Sequence, residues 1–129
     1  MERLKLRYND VLRSLETLQF ILKQPSSTIV RDATIQRFEY TFEALWKFLK
    51  EYLKEKEGLI RNSPKACFKE IFSLGFLNEE DTTACLEMTD RRNDTSHTYK
   101  EEVARIIYSK MKEYFSLMRM LSDKFTDRI

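Results

Sequence analysis

Ile35-Gln36-Arg37-Phe38-Glu39-Tyr40-Thr41-Phe42-Glu43-Ala44-Leu45-Trp46-Lys47-Phe48-Leu49-Lys50-Glu51-Tyr52-Leu53 is the stretch whose reading decides the fold class. Ile35, Phe38, Phe42, Leu45, Trp46, Leu49, Tyr52 and Leu53 recur at helical spacing and share one face. Burying each large side chain is worth roughly 1.5–3 kcal/mol, so this helix is expected to anchor the core. Extended outward, it runs from about Thr28 to about Glu57. Ser26, Ser27 and Thr28 supply turn and N-cap chemistry at its start. Lys54 to Glu57 form a solvated last turn, and Gly58 suits a left-handed stop.

The flanking segments read the same way. Leu4, Tyr8, Val11, Leu15, Leu18 and Leu22 make one apolar stripe, predicting a first helix over about 4–23 that Pro25 ends. Ser63 and Pro64 open a shorter helix, with Cys67, Phe68, Ile71 and Phe72 inward and Gly75 at its stop. Asn78 caps a fourth, whose first turn holds Glu79, Glu80 and Asp81 at the positive end of the helix dipole. Its inward residues are Ala84, Cys85 and Met88. A last helix follows Thr98, which stands at capping-box spacing from Glu101. Val103, Ile106, Ile107, Met111, Tyr114, Met118, Leu121 and Phe125 line that helix. The expected architecture is all-α, a single up-and-down bundle of about five helices forming one domain over residues 1–129.

Composition agrees. The chain has 129 residues, 42% hydrophobic and 34% charged, with two glycines and two prolines, too few turn residues for a β-rich fold. The N-terminal Met1-Glu2-Arg3-Leu4-Lys5-Leu6 has no signal-peptide core, and no stretch reaches membrane-spanning length, so a cytoplasmic location with no membrane association is expected. Cys67 and Cys85 read as buried thiols. One histidine with two scattered cysteines argues against a metal site. No glycine-rich phosphate loop or nucleophile elbow occurs, and no cofactor is expected. A net charge of +2 is too small for bulk nucleic-acid binding. No DNA partner is expected, and any anion recognition must be local.

One segment breaks the apolar periodicity. Thr89-Asp90-Arg91-Arg92-Asn93-Asp94-Thr95-Ser96-His97-Thr98 contains no apolar residue, holds the only histidine, and is followed by Tyr99. As a plain connection it would be a solvated helix end followed by a cap. As a site it combines a guanidinium able to fork onto a phosphate, an imidazole titrating near neutrality, and a phenol. Arg92 would stabilise charge on phosphorus and His97 would exchange a proton with a ribose hydroxyl or leaving oxygen. Asn93 would orient either group, and Thr95 and Ser96 would add hydroxyl contacts. Spacing alone leaves both readings open. By contrast, the acidic pairs Glu39/Glu43 and Glu101/Glu102 read as solvated faces, and the aromatic stripe of the second helix as core rather than a base-stacking platform.

Three stretches together carry a resemblance: Gln36 to Glu43 continuing through Trp46-Lys47; Ser63-Pro64 leading to Phe72-Ser73-Leu74-Gly75-Phe76-Leu77; and Arg92-Asn93-Asp94-Thr95-Ser96-His97-Thr98-Tyr99. The chain resembles the nucleotidyltransferase substrate-binding protein family, a branch of the HEPN (higher eukaryotes and prokaryotes nucleotide-binding) superfamily. The resemblance implies a homodimeric helical bundle in which two R-x4-H-x-Y motifs, here Arg92, His97 and Tyr99, face a shared cleft. It also implies a minimal nucleotidyltransferase as partner, in a two-component module of the toxin–antitoxin type, with nucleotide or RNA as ligand. In related pairs the HEPN member is a metal-independent ribonuclease, silenced when its partner adds nucleotides to the motif tyrosine. Asp94 departs from the family pattern by placing a carboxylate inside the motif, which weakens anion binding there. A nucleotide-binding subunit, a ribonuclease and a purely structural adaptor remain open at this point.

Overall fold

Ser27 starts the longest helix: its backbone is extended, and its hydroxyl accepts the Val30 N–H at 3.1 Å. The helix ends at Gly58, which adopts φ 65° and donates its N–H to the last-turn carbonyls. In the computed structural model, which describes residues 2–129, this is α2 (Thr28–Glu57). It is accompanied by α1 (Glu2–Leu22), α3 (Pro64–Ser73), α4 (Glu79–Asp94), α5 (Glu101–Ser109) and α6 (Met111–Asp123). A short 3-10 turn, Thr95–His97, follows α4 directly. The described residues contain no strand, so the all-α expectation holds.

α1 and α2 pack antiparallel along their lengths. Arg37 reaches the Thr17 carbonyl at 2.8 Å, Thr41 the Ser14 carbonyl at 3.3 Å, and Arg3 lies 3.9 Å from Glu51. Two further predicted starts are built from their caps: Ser63 accepts the Ala66 N–H at 3.2 Å, and Asn78 the Asp81 N–H at 2.7 Å. Gly75 takes φ 88° where α3 turns toward α4.

The core draws on every helix, with Leu4, Leu15, Phe38, Phe42, Leu45, Phe68, Met88, Ile107, Met118 and Leu121 buried. Its far end is an aromatic cluster. Phe125 meets Phe48 edge-on at 5.2 Å and Tyr52 at 4.8 Å, and stacks on Phe76 at 4.5 Å. Such pairs add about 0.5–1.5 kcal/mol beyond burial. On α2 the buried set includes Phe48, absent from the predicted stripe, whereas Trp46 is only half-buried. Ile21 replaces Leu22 on α1, and Phe72 and Ile106 are exposed rather than inward.

The structure differs from expectation at the last helix. The predicted stripe is divided into α5 and α6, giving six α-helices among the described residues in place of about five. Ser109 turns its hydroxyl back onto the Ile106 carbonyl at 2.6 Å, while the Lys110 N–H takes the Ile107 carbonyl at 3.0 Å, a tightened turn that interrupts the helix. The Thr98–Glu101 capping box does not form. Lys100 occupies the N-cap without a side-chain cap bond, and the Thr98 hydroxyl donates to the Thr95 carbonyl at 3.2 Å. Both cysteines are buried and free. Among the described residues no helix is long and apolar enough to cross a membrane.

Candidate functional site

α4 carries the first half of the polar run and the 3-10 turn carries the second. The helix survives six polar residues because all but the exposed Asn93 find a local or tertiary side-chain partner. Thr89, buried, donates to the Cys85 carbonyl at 2.9 Å. Lys65 on α3 pairs with Asp90 at 2.7 Å. Arg91 donates to Asp94 at 3.0 Å, one turn on. Asp94 is therefore engaged by Arg91, so the carboxylate expected to oppose anions is largely compensated inside the motif.

Arg92 is held on three sides. Its Nη1 donates to the Thr95 hydroxyl at 2.9 Å, and that hydroxyl donates onward to the Arg92 carbonyl at 2.7 Å. Thr95 is buried, so this clamp is shielded from solvent. Across on α2, Glu39 lies 3.7 Å from Nη1 and Glu43 lies 3.5 Å from Nη2. Glu43 is itself oriented, accepting the Trp46 indole N–H at 3.0 Å. The Arg92 Nε is enclosed and has no hydrogen-bond partner. Glu39 and Glu43 were expected to form a solvated face; instead they stand against the motif arginine, because α4 docks on that face of α2. A signal for this existed: two carboxylates one turn apart, with an indole donor three residues after the second.

The 3-10 turn then reverses the presentation. Asn93, Ser96, His97 and Tyr99 all reach the surface, with Tyr99 exposed at 77%. The His97 and Tyr99 rings are 6.0 Å apart at 70°, and the Lys100 ammonium lies 5.9 Å from the Tyr99 ring centre. Ser96 donates to the Asn93 carbonyl at 3.2 Å, closing the turn. His97 lines a groove of about 370 Å³ bounded by Arg91, Asp94 and Lys100 on one side and Val103, Ile106 and Ile107 of α5 on the other. Within one chain, therefore, Arg92 is turned toward α2 while His97 faces α5. Among the described residues no hydrogen bond, ion pair or ring contact joins them.

α5 is fixed behind the motif by contacts to the first turn of α2 and the connection before it. Arg31 pairs with Glu101, and Tyr108 hydrogen-bonds Ser26 at 3.1 Å. Glu101 is thus a tether rather than part of a free acidic face. No group of three or more His, Cys, Asp and Glu side chains among the described residues is placed to hold a metal ion.

Comparison with known proteins places this geometry in context. The family model described as nucleotidyltransferase substrate binding protein like matches residues 6–127. A Haemophilus influenzae protein named "Probable ribonuclease HepT" is 30% identical over 111 residues, spanning 81% of this chain and 75% of its own length. A crystal structure of a Thermus thermophilus protein superposes with a TM-score of 0.86 at 41% identity, covering 90% of this chain and 98% of that one. A tri-AMPylated Shewanella oneidensis HEPN toxin, solved in complex with an MNT antitoxin, shares the fold with a TM-score of 0.75 at 14% identity, over 93% of both chains.

Proposed function

Because this chain belongs to the nucleotidyltransferase substrate binding protein like family, we propose that it is the nucleotide- or RNA-phosphate-binding subunit of a two-component, toxin–antitoxin-type module whose other member is a minimal nucleotidyltransferase. The observation that carries this reading is the clamp on Arg92, followed at once by the exposed His97 and Tyr99. A guanidinium already oriented by Thr95, Glu39 and Glu43 loses little freedom when a phosphate docks on it. Asn93 and Ser96, beside it, supply polar contacts to the same anion. Tyr99 is the residue its partner would modify: the phenolic oxygen attacks the α-phosphate of a nucleoside triphosphate, and pyrophosphate leaves.

A homodimer completes the site in this reading. Arg92 and His97 face different neighbours within one chain, and the His97 groove has an apolar wall in which Ile106 is half exposed. A second copy seated there would bring two motifs to one cleft. Coexpression with the cognate nucleotidyltransferase, followed by intact-mass measurement and size-exclusion chromatography, tests the module. A nucleotide-sized increment lost on Tyr99→Phe, together with a stable complex, is expected. A monomer that neither gains mass nor retains the partner rules the module out.

A second reading, metal-independent ribonuclease, is favoured by the open position of His97. In it the ribose 2′-oxygen attacks the adjacent phosphorus while the bond to the 5′-oxygen breaks. His97 moves the proton and Arg92 stabilises the equatorial charge, leaving a cyclic phosphate and a 5′-hydroxyl. RNA cleavage in excess EDTA, abolished by both Arg92→Ala and His97→Ala, is the expected result. Intact RNA with the wild-type protein leaves the binding role alone standing.

A further inference from the structure

Away from the motif, the α1–α2 seam concentrates positive charge. One depression of about 270 Å³ is lined by five cations, Arg3, Arg7, Lys47, Lys50 and Lys54, against a single carboxylate, Glu51, with the Trp46 indole in its wall. A second depression, of about 400 Å³, continues from it. Arg7 and Lys47 line both, and Tyr40 and Glu43 line the far part. Glu43 is the residue that stands 3.5 Å from Arg92. The two depressions therefore adjoin along α2, and the second reaches Glu43, the carboxylate that faces the motif arginine.

The carboxylates of these depressions each have a partner already, and for Glu51 that partner is Arg3, which leaves the other four cations of the first depression free of it. Glu51 faces Arg3, Asp10 pairs with Arg13 at 3.5 Å, and Glu43 is taken by Trp46 and Arg92. Among the described residues Arg7, Lys47 and Lys54 have no ionic partner, and Lys50 lies over the Trp46 ring at 5.8 Å. A chain whose net charge is only +2 thus focuses unneutralised cations on one groove.

We propose that this α1–α2 groove binds the sugar-phosphate backbone of single-stranded RNA and leads it to Arg92. The inference rests on the RNA-phosphate reading of the motif and extends it to the substrate's path. Arg3 and Arg7, and Lys50 and Lys54, are each one helical turn apart, so the two walls present cations at steps of about 6 Å. That periodic pairing suits a repeating phosphate chain. Tyr40, 41% exposed, offers aromatic surface on which a base stacks without sequence preference.

The test uses full-length protein carrying His97→Ala, so that the probe stays intact, and a fluorescent mixed-sequence single-stranded RNA read by anisotropy across a salt series. Adding Arg7→Ala, Lys47→Ala and Lys54→Ala is expected to weaken binding at least about tenfold near 0.1 M salt. Three lost phosphate contacts should also make the slope of log K against log salt shallower by about 2. The Arg7→Lys, Lys47→Arg, Lys54→Arg variant should retain wild-type affinity and slope, which separates charge from shape. Unchanged affinity and slope in the alanine variant, with binding still lost on Arg92→Ala, overturns the track and leaves the motif reading intact. No RNA binding by the parent protein overturns both. Tighter binding of poly-L-glutamate than of RNA, lost in the alanine variant, also overturns the proposal, assigning the groove to an acidic protein segment.

Discussion

Replacing Thr95 by valine removes the hydroxyl that clamps Arg92 while nearly preserving side-chain shape. The hydroxyl makes two bonds, accepting from the Arg92 guanidinium at 2.9 Å and donating to the Arg92 carbonyl at 2.7 Å, from a residue only 5% exposed. A hydrogen bond to a charged group contributes about 1.5–3 kcal/mol, but Arg92 keeps a water-accessible edge, so the lower end applies. The carbonyl keeps its place at the end of α4 and loses about 0.5–1 kcal/mol. The sum is about 2 kcal/mol of lost stability, equivalent to a Tm lower by several degrees for a chain of this size. Urea unfolding of wild type, Thr95→Val, Arg92→Ala and the double variant forms a cycle that isolates the side-chain pair, because the bond to the backbone carbonyl survives in Arg92→Ala. A coupling of about 1–1.5 kcal/mol is expected. Coupling near zero, with Thr95→Val as stable as wild type, would refute the view that Thr95 holds the motif arginine. The same variant should bind inorganic phosphate more weakly, since the guanidinium must then be ordered at the moment of binding.

Three further outcomes follow from named contacts. Glu43→Gln removes a carboxylate 3.5 Å from Arg92 but retains an acceptor for the Trp46 indole, so phosphate affinity by calorimetry should rise about 2–5-fold, the range of a partly exposed charge pair. Burial pushes Cys67 to about 11 and Cys85 to about 12 from 9.0, and Tyr114 to about 12 from 10.0. These raised values mean the folded state holds protons that the unfolded chain releases. Stability is thus fully present below about pH 9 and falls as pH rises toward 12, a loss that urea unfolding across that range should show. Gly58→Ala, at φ 65° with open space where a Cβ would lie, should cost about 1 kcal/mol through backbone strain alone, while the αL-tolerant Gly58→Asn costs less.

What could be read from the sequence was what local chemistry decides. The bounds of α2, the starts at Ser63-Pro64 and Asn78, and the left-handed stop at Gly58 follow from cap residues acting within one turn of themselves. The features that escaped depend on distant partners. Phe48 is buried because Phe125 and Tyr8 close over it, at 5.2 Å each, and neither is near it in sequence. Lys110 breaks the last stripe because Ser109 bonds backward, a choice that apolar spacing does not encode.

The same distinction governs the site. Arg92, His97 and Tyr99 were legible as a motif, and the structure does present His97 and Tyr99 at the surface. Glu39 and Glu43 were read as solvent-facing because an i, i+4 acidic pair looks alike on any exposed helix. What changes their meaning is α4 docking its basic end on that turn of α2. Two carboxylates at 3.5 and 3.7 Å lower the local potential at Arg92 while directing its guanidinium. An arriving phosphate must then compete for the arginine, which weakens free-anion binding relative to a bare guanidinium. A polyanion that also contacts Arg7, Lys47 and Lys54 gains attraction from several cations at once, outweighing that competition where a single phosphate does not. If the groove does guide RNA as proposed, neutralising Glu39 and Glu43 together should raise mononucleotide and RNA affinity by a similar factor, while the preference for the long chain, set by Arg7, Lys47 and Lys54, persists.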